Sequence, residues 1–412
     1  MMSLKATGSA TGLTSRVPSS TPQVLAWTTG FFIPIKAARL DITGLSLYLP
    51  YVAAIAVALV APSAVLGVIR SRLAAPIVVV TVFTVWGVVR TGDPVGPGVT
   101  FAKLMIAFVA IGAFVVVLRQ HERHLYLGLL SGVAVSVVYA VYQWLSGRFF
   151  DFGLPYTSIA ALKVGLGLSS RYGLTRATGF TEEPSFLATL LVGSTLLLIA
   201  YASRTKQPGV MKAAVALGAI GLFVTTSNNL FATILIVGAA WPFVRRRRVA
   251  IILAAYYLTV IWLTPFVLNR DITYYTRFFA YDVFRKSTSI TQVLGHGVGA
   301  YPSFFRVFHP QFQGQDVASL ASVWGGFLFE GGVVLVLLVV WWLATVVRKT
   351  QWREGLALLA LLLMLSNYNS PWWPIVSLAL AQCFLIARPP LDRPRRLIAA
   401  AERPTDLNWR QV

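Results

Sequence analysis

Apolar residues in this chain run in long blocks separated by short polar clusters, without the period-two alternation of half-buried strands or the single apolar stripe of a soluble helix. Residues 43–69 and 319–347 exceed the roughly 20 residues that cross a hydrocarbon core, and comparable blocks recur along the chain. The pattern predicts an all-α polytopic membrane protein with about twelve spans, at 22–36, 43–69, 73–90, 98–118, 125–145, 183–202, 209–226, 229–244, 249–268, 319–347, 355–369 and 372–387. The first is short and contains Pro34, so a re-entrant or interfacial segment is the competing reading, which leaves eleven spans. The last two read as a hairpin of tilted or broken helices. No repeat relates the two halves.

Composition excludes a soluble alternative. Of 412 residues 57% are hydrophobic and 12% charged, about half the charged share of a soluble domain. A single transmembrane domain over 22–388 is expected, between a Ser- and Thr-rich tail, 1–21, that does not read as a cleaved signal peptide, and a basic tail, 389–412. Cys383 is the only cysteine, so no disulfide framework or cysteine metal site is available.

The net charge of +21 suggests nucleic acid at first sight, but the basic residues sit in short clusters between apolar blocks. Membrane topology accounts for them. With both termini in the cytoplasm, Arg70 and Arg72, Arg119 and Arg123, Arg204 and Lys206, Arg245 to Arg248, and Arg348, Lys349 and Arg353 all face inward, whereas Lys36 and Arg39 dissent. Two long loops, 146–182 and 269–318, then fall outside. Loops of that length usually carry function, and both are rich in aromatic and basic residues.

Candidate chemistry concentrates there. The first loop brings Arg171 and Arg176 close in sequence to Glu182, Glu183 and Pro184, where a helix begins. Glu183 reads either as a helix-cap acid or as a carboxylate that orients or deprotonates a hydroxyl beside an anion-binding arginine pair. The second loop holds Tyr274, Tyr275, Arg277 and Arg306, and the alternating glycines Gly295, Gly297 and Gly299 around His296, followed by Tyr301. Those glycines lack the strand and helix that flank a dinucleotide fingerprint, so a tight turn or close backbone approach is the better reading. His296 is a loop histidine or a proton-transfer and phosphate-contact residue; His309 has the same two readings, and His121 and His124 read as interfacial on the cytoplasmic side. Glu330 lies inside the 319–347 span, where an ionisable group is either structurally paired or functional. Asn228, Asn229, Asn367, Tyr368 and Asn369 sit at span ends, for interfacial hydrogen bonding or a sugar cleft.

These pieces together resemble the O-antigen polymerase and O-antigen ligase superfamily: Arg176 through Ala188 is similar to its Arg, Gly-Phe, Glu-Pro-Ser element, followed by Arg277 with the Gly295–Gly299 turn, and by Glu330-Gly-Gly-Val in a late span. The resemblance extends over roughly residues 40–388. It implies a glycosyltransferase-C-like membrane enzyme that uses a polyprenyl-diphosphate-linked glycan, with no metal, nucleotide or other cofactor. The ligase His-Asn pair would fall on Ala321 and Ser322, and Ser227-Asn228-Asn229 stands where Ser-Arg is often found. Both departures favour a polymerase over a ligase; a non-enzymatic flippase or transporter is the third reading.

The expectation is a polymerase that joins undecaprenyl-diphosphate-linked repeats at the outer face of the bacterial plasma membrane, with a chain-length regulator as a partner and no nucleic acid. Arg176 and Arg277 are expected to bind the diphosphate, supported by Arg171 and Arg306. Glu183, then Glu330, then His296 are candidates for handling the acceptor hydroxyl, and Tyr275, Tyr301 and Asn229 complete the substrate-binding set.

Overall fold

The computed structural model describes residues 20–35, 39–42, 45–145, 158–159, 162–163, 169–171, 174–177, 179–181, 184–225, 228–267, 272–301, 304, 322–365 and 373–386. Hydrocarbon offers backbone groups no water, so an apolar block can satisfy itself only as helix. Five helices among the described residues are long and apolar enough to cross a membrane: Pro62–Thr91, Val95–Leu145, Ser185–Thr205, Pro208–Thr225 and Val323–Lys349. Shorter apolar helices, including Leu49–Val60 and Pro374–Ile386, pack among them. The protein is an all-helical membrane protein, to which three two-stranded antiparallel hairpins are added among the described residues.

In chain order, α1 is Ser20–Phe32, the hairpin β1–β2 pairs Arg39–Ile42 with Leu45–Tyr48, and α2 is Leu49–Val60. Helix α3, Pro62–Val68, leads through a π turn at Ile69–Leu73 into α4, Ala74–Thr91. The predicted 43–69 span is therefore interrupted: Ala61, at φ −128° and ψ 56°, ends α2, and Pro62 opens the next helix. Arg70 and Arg72, expected in a loop, lie instead on the continuous helix Pro62–Thr91, where the π turn absorbs them. Val78, Val82, Val85 and Val89 form an exposed apolar stripe along it, a face suited to lipid.

The organising element is α5, Val95–Leu145. Its 51 residues would make a straight rod of about 75 Å, more than twice the hydrocarbon thickness. His121, at φ −136° and ψ 33°, breaks it into two halves that match the predicted spans 98–118 and 125–145. Against the second half lies α1, through small residues: a Cβ on Gly30 would collide with the Leu125 carbonyl, one on Gly128 with that of Trp27, and one on Gly132 with that of Phe31. Gly128 and Gly132 are one turn apart, the spacing that lets membrane helices bring their backbones together. At 13 residues α1 is about 20 Å long, short of a full crossing by itself.

After the small hairpins β3–β4 (Ser158–Ile159 with Leu162–Lys163) and β5–β6 (Ser169–Arg171 with Leu174–Arg176) come α6 (Pro184–Thr205), α7 (Pro208–Thr225), α8 (Asn228–Arg245) and α9 (Val249–Val267). Helices α10 (Ile272–Lys286) and α11 (Ser289–Leu294) precede α12 (Val323–Lys349), α13 (Trp352–Met364) and α14 (Pro374–Ile386). The last two are each 13 residues long and buried along nearly their whole length, in keeping with the short, broken pair expected at 355–369 and 372–387. Tyr126 of α5 stacks on Tyr201 of α6 with ring centroids 4.3 Å apart in this core.

Gly128→Ala should therefore lower thermal stability in lipid nanodiscs by about 1–3 kcal/mol. Gly238→Ala, in α8 with open space where its Cβ would go, should leave stability unchanged or slightly raised.

Candidate functional site

The site grows from a break in α12. Gly332, at φ 58° and ψ −158°, interrupts that helix just after Glu330. In an unbroken helix the carbonyls of Phe329 and Glu330 would accept from Val333 and Val334. Here they accept from outside: His296 N–H donates to Phe329 O at 2.9 Å and Gly297 N–H to Glu330 O at 2.7 Å. Two further amides of the same turn are also used, Val298 N–H to Phe83 O at 3.0 Å and Gly299 N–H to Glu330 Oε1 at 3.0 Å. Trp86 Nε1 donates to Gly295 O at 3.1 Å. Four consecutive N–H groups are thus committed to protein acceptors, which settles what the three glycines do: they cap a split helix rather than cradle phosphate.

Only glycine fits this arrangement. Gly295, Gly297 and Gly299 all have positive φ, at 68°, 96° and 76°. A Cβ on Gly295 would meet the Glu330 carbonyl at 2.5 Å, one on Gly297 would strike Gly87 of α4, and one on Gly299 would meet Pro97 Cα of α5 at 2.6 Å. A Cβ on Gly332 would in turn meet the Gln292 carbonyl at the end of α11 at 2.5 Å. The turn is wedged among α4, α5 and α12.

Glu330 has a second neighbour. It lines an apolar groove of about 1330 Å³, open side included, between α4, α5, α12 and α14. Among the described residues it is the one ionisable side chain on the groove wall, with Thr100 and Ser377 as hydroxyls. The carboxylate thus joins the glycine turn, through Oε1, to a long apolar cleft. Lys103 of α5 lies on the helix face that carries the groove residues Thr100, Leu104 and Ala107, and Arg90 of α4 sits over Trp86 at 5.8 Å. Neither cation was singled out from sequence. The available signals were a lysine inside the 98–118 block and an arginine at the opposite end of a span from the basic clusters.

His296 is 7% exposed, stacked on Phe329 at 4.5 Å and packed by Phe304 at 4.3 Å, and neither ring nitrogen has a hydrogen-bond partner among the described residues. Burial, and secondarily the charge of Arg90, push its pKa down to about 4. A neutral imidazole results at neutral pH, so any hydrogen bond it makes is that of a neutral group rather than of a cation. Tyr301 is buried in the same aromatic box, its ring 5.9 Å from Phe279 and 5.6 Å from Phe329.

The other candidates are held on two arms. Arg171 and Arg176 lie on the β5–β6 hairpin, whose continuation is tied down by Ala177 N–H to Val224 O at 3.2 Å and by Gly179 N–H to Gln143 Oε1 at 2.8 Å. Gln143, fully buried at the end of α5, is a positioning residue that no motif signalled. Tyr275 and Arg277 lie on α10, which runs beside the first half of α12, with Gly325 facing Ala280. Asn229 is in the first turn of α8. The side chains of these five candidates, and Glu183 and Arg306 entirely, lie outside the described residues. Ser322 caps α12, its Oγ accepting from Gly325 N–H at 3.0 Å. No group of three His, Cys, Asp or Glu able to hold a metal occurs among the described residues.

Two variants separate the roles. Glu330→Gln keeps an oxygen for Gly299 N–H and should melt near wild type, whereas Glu330→Ala strands that amide and should lose about 1–3 kcal/mol. His296→Phe should fold and lose part of the acid sensitivity of the wild type. Stability due to the neutral imidazole is fully present above its ordinary value of 6.5 and is lost as pH falls through about 4, so melting curves at pH 7 and pH 4 measure it. Compared with protein-family models, with curated proteins and with solved structures, the chain matches none.

Proposed function

We propose that this protein is a metal-independent membrane glycosyltransferase that joins undecaprenyl-diphosphate-linked oligosaccharide repeats at the outer face of the bacterial plasma membrane. In this reading the chain has about twelve spans in a glycosyltransferase-C-like arrangement, with both termini cytoplasmic. The observation that carries it is the apolar groove with Glu330 as the one ionisable wall residue among the described residues, beside a turn that falls in the same stretch of chain, 269–318, as Arg277 and Arg306. A polyprenyl chain needs an apolar channel, and its diphosphate needs cations at the channel's mouth.

Arginine suits that role, because a planar fork binds two phosphate oxygens and stays charged. Arg176 and Arg277, with Arg171 and Arg306, stabilise the negative charge that grows on the leaving diphosphate as the acceptor hydroxyl attacks the anomeric carbon. Glu183 or Glu330 orients the hydroxyl and accepts its proton. For Glu330, Oε1 is engaged with Gly299 N–H, which holds the carboxylate at the groove wall and leaves its other oxygen to take the hydroxyl proton. Two findings support polymerase over ligase: Ser322, at one of the two ligase-pair positions, serves as a helix cap, and Ala321 offers no functional group.

Purified protein should lengthen undecaprenyl-diphosphate-linked repeats in detergent. Arg176→Lys and Arg277→Lys should express normally and slow chain growth roughly 100-fold. Near-normal polymer length in both variants would sink the diphosphate role, and accumulation of long lipid-linked polymer on loss of the protein would indicate a ligase instead.

A further inference from the structure

The opposite end of the bundle holds a partly buried ionic cluster that the proposed reaction does not use. Glu122 follows the break in α5, Arg204 closes α6, and Glu354 stands in the first turn of α13. Arg204 grips Glu122 with both terminal nitrogens, one of these bonds being 3.3 Å to Oε2. Its Nε lies 3.8 Å from Glu354 Oε1, an ion-pair distance without a hydrogen bond. Glu354 is 1% exposed, and its carboxyl group meets at most its own backbone amide, with no hydrogen bond to another residue among the described residues. The Tyr126 hydroxyl, buried beside them, has none either.

Charge decides the state of this cluster. Two carboxylates share one guanidinium, and the better-hydrated Glu122 takes the two hydrogen bonds. A second carboxylate buried at 3.8 Å from the guanidinium without a hydrogen bond to it would be an ion with most of its desolvation uncompensated. A proton on Glu354 removes that cost. Other charged and titratable groups nearby do not reverse this balance. Arg353, in the same helix, turns to Ser203, and the Cys383 thiol of α14 points at the Glu354 backbone carbonyl at 3.7 Å. Arg348 and Lys349 at the end of α12 and Arg245 at the end of α8 are exposed to solvent, as is Arg123 beside Glu122, while His121 and His124 pack on each other with centroids 6.4 Å apart.

We propose that Glu122, Arg204 and Glu354 form a proton-binding site, which holds one proton on Glu354 and, on releasing it, draws Arg204 from Glu122 and loosens the junction of α5, α6 and α13. Burial, its largest influence, raises the Glu354 carboxyl above its ordinary value, in the direction the geometry requires. The stability it contributes is then fully present below that ordinary value of 4.5 and is lost as pH rises through the raised one. Three chain turns at one end of the bundle thereby respond to the pH on that side.

Infrared spectroscopy of the protein in lipid nanodiscs at neutral pH tests this directly. The wild type should show a protonated-carboxyl C=O stretch that Glu354→Gln removes. Glu122→Gln frees Arg204 to pair with Glu354 and should remove the same band by ionising it. Melting temperature should fall with rising pH in the wild type and lose that slope in Glu354→Gln. A wild-type spectrum without the band, or one unchanged by Glu354→Gln, would overturn the proposal; absence of the band in the wild type does so even if a variant fails to fold. Glycosyl transfer is not needed for any of these readings, so failure of the transferase reading would leave them intact.

Discussion

A helix buried in hydrocarbon cannot be interrupted unless something else satisfies the carbonyls it releases. In this protein the interruption is Gly332, and the something else is the His296–Gly299 turn, whose amides take over the Phe329 and Glu330 carbonyls. The rest of the site follows from that exchange. Because the turn has to come within backbone contact of α4, α5 and α12 together, three glycines are needed in it, and Gly87 and Gly96 are needed opposite. Because α12 stops at Gly332, Glu330 stands at the end of a half-helix, where its side chain can reach back to Gly299 and also face the groove.

The same economy governs the polar groups. An ionisable residue within a span has to be used or paired, and Glu330 is paired through a backbone amide. At the other end Glu122, Arg204 and Glu354 solve the same problem by sharing. The two clusters mark the ends of one bundle: the turn after Thr91 lies with the glycines, and the break at His121 lies with Arg204. The predicted sidedness put Arg119, Arg123, Arg204 and Arg353 on one face. Contacts between Glu122 and Arg204 and between Arg353 and Ser203 bring the corresponding chain turns together.

Much of this was legible in the chain because hydrocarbon imposes simple rules. Long apolar blocks had to be helices, and the Arg119–Arg123 cluster marked the break in α5 to within two residues. Alternating glycines at 295, 297 and 299 signalled close backbone approach, which the structure bears out. What the pattern could not carry was tertiary. A basic pair normally marks a loop, yet Arg70 and Arg72 are absorbed by a π turn because Ala61 and Pro62 had already broken the helix. Gln143 looks like any polar residue at a span end; its role depends on Gly179, 36 residues away. The apolar groove lies between helices far apart in sequence, α4, α5, α12 and α14, and leaves no local signature.

The central claim is that the glycine turn is part of the fold of α12 rather than a surface loop. Amide hydrogen exchange in lipid nanodiscs, followed by mass spectrometry on peptides covering 295–300 and 323–336, tests it most directly. The His296 to Gly299 amides should exchange as slowly as those of α12, and Glu330→Ala should accelerate both segments together. Exchange of the turn within seconds, while α12 stays protected, would contradict it.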